Sequence, residues 1–203
     1  MQFETWLVYL VASTGLSLSP GPNSLLALTH GALHGRRMAL FTIFGGSLGF
    51  VVLIAVSMFG IGALISSSVA WLTVLKWLGG AYLVWLGIQV WRAPPIAPKL
   101  EEVQRQASAW SLFRQGALSA ATNPKGLLFF TAFLPHFIEP GRSLLLQFVV
   151  LAGTFVATEV VTEYFLACAA HRIGPWLARV GRRFNRGCGG LFMALGAALP
   201  LRA

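Results

Sequence analysis

Ser19-Pro20-Gly21-Pro22-Asn23 decides how this chain folds. The five residues sit inside a run over 3–33 that is otherwise almost wholly apolar. Prolines lack backbone donors and glycine is a weak helix former, so one continuous helix does not pass through them. About 20 apolar residues already span a bilayer, and this run is longer by roughly half. It reads as a membrane helix broken near its middle, with freed backbone groups around Asn23. Such backbone is tolerated at membrane depth only inside protein or beside a watery cavity. Thr122-Asn123-Pro124-Lys125-Gly126 repeats the pattern inside a second apolar run. Two interrupted hydrophobic segments at corresponding places in two halves point to a transporter's binding site.

Composition agrees. Of 203 residues, 56% are hydrophobic and only 10% charged, where a soluble domain carries about 25% charged residues. This is the composition of an integral membrane protein, with the lipid bilayer as its first partner. The net charge of +9 does not imply nucleic acid, because the basic residues punctuate the gaps between apolar runs and form no polar domain. Cys168 and Cys188 make no CxxC and no metal-ligand spacing, so they read as ordinary buried thiols, and no cofactor or metal is expected. The N-terminus has no basic region and no small-residue cleavage site, which predicts a retained first span in place of a signal peptide.

Six spans follow, over 3–33, 38–65, 69–91, 111–138, 143–170 and 187–201. The first ends at His34-Gly35-Arg36-Arg37 and the fourth is broken at Asn123-Pro124. The segment over 171–186 holds five arginines between apolar residues and reads as amphipathic and interfacial. Eleven basic residues fall in the loops after spans 1, 3 and 5, against Arg142 and Arg202 on the other side. That bias puts the three basic loops in the cytoplasm and both termini in the periplasm.

Three spans, a polar loop and three more spans suggest duplication. Pro22-x-x-Leu25-Leu26-x-x-Thr29-x4-His34 is matched by Pro124-x-x-Leu127-Leu128-x-x-Thr131-x4-His136 at the same spacing. Gly80-x5-Leu86-Gly87 is echoed by Gly189-x5-Leu195-Gly196. An odd number of spans per repeat forces the halves into opposite orientation. The expected fold is an all-α membrane protein of six transmembrane helices, arranged as two inverted three-helix repeats with spans 1 and 4 broken. The repeats occupy 1–92 and 111–203, joined by a cytoplasmic linker over 93–110.

The candidate substrate site comprises Ser19, Pro20, Gly21, Pro22, Asn23, Asn123 and Pro124. Exposed N–H groups at the restarted helices suit a carboxylate, and freed carbonyls suit an amine. The simpler alternative is that each asparagine only caps its half-helix. Lys125 stands in an apolar run, where a lone charge costs roughly 2.5–3.5 kcal/mol on insertion scales and needs a partner. Glu159 and Glu163 in span 5 are the candidates, four residues apart on one helix face. An intramembrane ion pair with Lys125 is expected, foremost through Glu159, with Glu163 left protonated or near a watery cavity; it acts as a clamp or a proton-coupling site. His30 is a deeper titratable candidate, while His34 and His136 fall near span ends. Gly45-x3-Gly49 and Gly31-x3-Gly35 suit close helix packing.

Three stretches carry a family resemblance. They are 16–23 (Leu-Ser-Leu-Ser-Pro-Gly-Pro-Asn), Leu75-Lys76-Trp77 with 80–89 (Gly-Ala-Tyr-Leu-Val-Trp-Leu-Gly-Ile-Gln), and Thr122-Asn123-Pro124-Lys125. With them the whole chain resembles the LysE/RhtB group of bacterial amino-acid exporters, and 76–89 is closest to the homoserine/threonine branch. The resemblance implies a secondary transporter of the bacterial inner membrane and not an enzyme. Its cargo would be a small amino acid, neutral (homoserine, threonine) or basic, leaving the cytoplasm on the membrane gradient. An acid at Glu159 is similar to that branch, whereas Glu163 matches no family pattern. A second copy of the chain, giving a homodimer, stays open as a partner. Two rival functions remain. A divalent-cation exporter would use Glu159, Glu163 and His30, and a transmembrane thiol redox carrier would use Cys168 and Cys188.

Overall fold

The computed structural model describes residues 2–19, 21–67, 69–92, 108–139 and 141–198. Pro20, most of the expected linker (93–107) and the end of expected span 6 (199–201) lie outside them. The described residues are all-helical: α1 (Phe3–Leu18), α2 (Pro22–Ser67), α3 (Val69–Arg92), α4 (Ala109–Ala121), α5 (Pro124–Phe133), a 3-10 turn (Leu134–His136) and α6 (Leu144–Ala198).

The interruptions have local causes. Ser19 is extended, at φ −66° and ψ 130°, and its N–H closes α1 on the Gly15 and Leu16 carbonyls. Proline then opens α2, where its missing N–H costs nothing. Asn123 is likewise extended, and its side chain accepts the Lys125 N–H at 3.0 Å ahead of α5, with Pro124 at the first helical position. Inside α2 the backbone turns a corner at Gly35, at φ 79° and ψ 163°. Only glycine adopts that conformation without strain. The corner falls where span 1 was expected to end. The arginine-rich segment over 171–186 has a helical backbone within α6, and α6 is not one straight rod, because Leu191 lies against Gly15 while Glu159 lies beside Ser17 on α1.

The polarity is turned inside out. Phe41, Phe44, Leu48, Val52, Val56 and Phe59 recur every three or four residues along α2 and are exposed. Leu145, Leu146, Val149, Val161 and Phe165 are exposed on α6 as well. Asn23, Asn123, Gln147, Glu159 and Glu163 are buried instead. An apolar stripe of that length outside and carboxylates inside is stable against lipid, not water. Among the described residues, two stretches, Pro22–Gly60 and Leu144–Ala169, are long and apolar enough to cross a bilayer.

Glycines bring the helices into backbone contact. A Cβ on Gly45 or Gly116 would run into the backbone carbonyls of Phe113 and Thr42, which locks α2 to α4. The two echoing segments of α3 and α6 face one another: a Cβ on Gly189 would lie 2.5 Å from the Gly87 carbonyl, and one on Gly196 would lie 2.6 Å from that of Gly80. The interior holds an aromatic cluster, with ring centroids 5.1 Å apart for Phe50–Phe155, 4.9 Å for Phe130–Phe155 and 4.6 Å for Phe129–Phe133.

Candidate functional site

The two helix breaks meet. A buried cavity of about 10 Å³ is walled by Gly21, Asn23 and Ser24 from the start of α2 and by Asn123, Lys125 and Gly126 from the start of α5. Leu16 of α1, Phe50 of α2, and Phe155 and Glu159 of α6 complete it. That volume accommodates about one water molecule. Two helix N-termini converge on it, each presenting N–H groups that the helix itself leaves unused.

Lys125 ties the breaks together. Its Nζ donates to the Ser19 carbonyl at 2.8 Å and approaches the Leu16 carbonyl at 3.5 Å. These are carbonyls from the last turn of α1, where a cation also complements the helix dipole. Gly21 leaves room for it, since a Cβ there would lie 2.9 Å from Nζ. Glu159 lines the same cavity, so the cation and a carboxyl group share one buried space.

The asparagines at the two breaks play different parts. Asn123 caps α5 through Oδ1 and also lines the cavity. Asn23 caps nothing: its Nδ2 donates to Glu163 Oε1 at 2.7 Å. Its Oδ1, together with Oε2 of Glu159 and Oε2 of Glu163, faces no hydrogen-bond partner. Gly46 makes the space for that amide, as a Cβ there would lie 2.6 Å from Asn23 Nδ2. The sequence flagged Gly45 and Gly49 only as packing residues and passed over Gly46. Phe50, Gly126 and Phe155 were missed too, because apolar residues and glycine carry no chemical signature.

The remaining sequence candidates spread out. Ser19 contributes its carbonyl, while Pro22 opens α2 with its ring exposed and outside the cavity wall. Pro124 opens α5. His30 pairs with Thr42 through Nδ1 at 2.7 Å, away from the cavity, and its ring lies 5.7 Å from that of His34. His136 is held by the Phe133 carbonyl at 3.2 Å. Both cysteines are free thiols, but only Cys188 is buried as expected; Cys168 is exposed. Chemically the centre offers helix N-termini for an anion, and carboxyl and amide oxygens for a cation. That pairing suits a zwitterion.

Known proteins place the chain. The family model described as LysE type translocator matches residues 14–202. A homoserine/homoserine lactone efflux protein of Salmonella typhimurium is 38% identical over 201 residues, covering 98% of this chain and 97% of the relative. An uncharacterized membrane protein of Vibrio cholerae is 36% identical over 203 residues, covering 98% of each. A leucine efflux protein of Klebsiella pneumoniae is 28% identical over 180 residues, covering 80% of this chain and 85% of the relative. No solved structure matches. Matched over nearly its whole length, the chain belongs to the LysE type translocator family of membrane proteins and is a transporter, not an enzyme.

Proposed function

We propose that this chain is a secondary transporter that exports small amino acids from the cytoplasm across the bacterial inner membrane. The cargo is neutral, such as homoserine or threonine, or basic. The observation that carries the reading is the gathering of both helix breaks, Lys125 and Glu159 around one buried cavity, with Glu163 bonded to Asn23 beside it. The substrate carboxylate docks at the first turns of α2 and α5, and its ammonium faces Glu159. A cavity of about 10 Å³ holds no amino acid, so the arrangement corresponds to a closed site that opens toward one side at a time. The names of the Salmonella and Klebsiella relatives support an amino-acid cargo.

The six-span inverted repeat is part of the proposal. The facing of Gly80 with Gly196 and of Gly87 with Gly189 supports it, since two echoing segments that pack on each other are what a pseudo-two-fold produces. Glu159 and Glu163 serve as the coupling groups, exchanging a proton for the substrate ammonium. A homodimer is the proposed assembly.

Export of a panel of labelled amino acids, measured in cells with and without this gene, tests the reading. Faster efflux of one or more small amino acids is expected, and unchanged efflux across the panel would overturn it. Within that assay, Asn23→Ala should cut export at least tenfold while membrane abundance stays near normal, because it removes a cavity group and no cap. Asn123→Ala should also lower abundance, since losing a cap costs about 1 kcal/mol. If Asn23→Ala exported normally, its amide would have no place in the site.

Orientation has its own check. In a background lacking Cys168 and Cys188, cysteines placed beside Arg37, Arg105 and Arg183 should be shielded from an impermeant thiol reagent in intact cells. One placed beside Arg142 should react. Labelling of the first three from outside would reverse the proposed topology.

A further inference from the structure

α1 and α6 run side by side and parallel. Tyr9 OH donates to the Leu151 carbonyl at 3.1 Å, and eight residues further along both helices Ser17 faces the Glu159 carboxyl group. Tyr9, Ser13 and Ser17 recur every fourth residue and so share one face of α1. All three are buried, at 0%, 0% and 2% exposure. Ser13 sits next to the Tyr9 hydroxyl, and Glu159 sits next to Glu163.

The two serines behave unlike several other helical hydroxyls among the described residues. Thr14, Ser47, Thr122, Thr131 and Thr154 each donate to the carbonyl four residues back. Ser13 Oγ and Ser17 Oγ make no such bond and no close hydrogen bond elsewhere, lying instead beside the Tyr9 hydroxyl and the Glu159 carboxyl group. A buried hydroxyl without a partner is disfavoured and calls for an explanation. These two lie in the seam between α1 and α6, in line between a phenol and a carboxyl pair, and neither belongs to the cavity wall.

We propose that Tyr9, Ser13 and Ser17 form a proton relay between the Glu159–Glu163 pair and the end of α1 near Gln147. The path is separate from that of the substrate. It rests on the reading of this chain as a proton-coupled exporter. A hydroxyl accepts one hydrogen bond while donating another, so a proton taken up at one end releases a different proton at the other, and no group on the way changes its charge. Eight residues of helix cover about 12 Å. One water between the two serine hydroxyls, about a turn apart, completes the connection. The carboxyl pair ends the relay, with Lys125 of α5 and Asn23 of α2 beside it and Cys188, from the far end of α6, facing Lys125. At the other end Gln147, one turn before Leu151, holds the Glu139 backbone at 2.8 Å in the loop where Glu139 pairs with Arg142.

The test uses purified full-length protein in proteoliposomes with labelled homoserine. Two rates are read: flux driven by a proton gradient, and homoserine–homoserine exchange at equal pH, which needs no net proton movement. Ser13→Ala and Ser17→Ala should each lower gradient-driven flux at least tenfold and leave exchange within about twofold. Ser13→Thr, which keeps a hydroxyl, should restore the driven flux. Unchanged driven flux in the Ser13→Ala/Ser17→Ala double variant would overturn the relay. So would a fall in exchange that parallels the fall in driven flux, because that is the mark of a packing defect. Wild-type protein that exchanges homoserine yet shows no gradient-driven flux would remove proton coupling itself, and the relay with it.

Discussion

Lys125→Ala should abolish export and sharply reduce folded protein in the membrane. The ammonium group satisfies carbonyls at the end of α1, through Ser19 at 2.8 Å, and shares the cavity with Glu159. Removing it leaves both without their cation. Breaking a buried ion pair from one side costs about 3–5 kcal/mol. Adding Glu159→Ala should recover part of the folded population without restoring transport. Recovery stays incomplete, because the Ser19 carbonyl still lacks its donor. The readouts are thermal stability in detergent and export per molecule, taken through the full double-mutant cycle. Strictly additive stability losses would show that Lys125 and Glu159 are not coupled, and Lys125 with Glu163 would be the next cycle. Lys125→Met, which keeps the apolar stem, separates lost charge from lost volume.

The second large effect comes from glycine. Gly45→Val should destabilise the protein by about 3 kcal/mol or more, since overpacking at a backbone contact cannot be relieved by a side-chain rotation. The wall it meets is the Phe113 carbonyl of α4, with Gly116 meeting Thr42 from the other side. Gly60→Val is the control: nothing lies within 4 Å of a Cβ at Gly60, and it should be tolerated. Gly46→Ala is expected to be more selective. Its methyl group would press on Asn23 Nδ2 and disturb the bond to Glu163, so export should fall further than stability does. Equal stability for Gly45→Val and Gly60→Val would mean that α2 and α4 are not held at backbone distance.

By itself the sequence determined the all-helical, lipid-facing character, the breaks between Leu18 and Pro22 and between Ala121 and Pro124, and the end of the first run at 34–37; Gly35, expected to pack a helix closely, is instead the corner, with nothing within 4 Å of a Cβ there. Each of these is local. Proline lacks a donor, glycine alone takes a positive φ, an asparagine before Pro-Lys caps its own helix, and long apolar runs demand lipid. Such effects act within a few residues, so they are readable from neighbours alone. How α6 brings Leu191 and Glu159 to the same stretch of α1 was not readable, because contacts between distant residues leave no local pattern. The site's wiring was not readable either. Asn23 and Asn123 look equivalent in sequence, yet one caps α5 and the other donates to a glutamate 140 positions away. Lys125 suggested a carboxylate partner, and the fold also gave it the Ser19 carbonyl 106 positions back. Those partners were decided by tertiary packing: glycines at 21, 45, 46 and 116 let backbones and polar groups approach to distances that no pattern of residue types along the chain encodes.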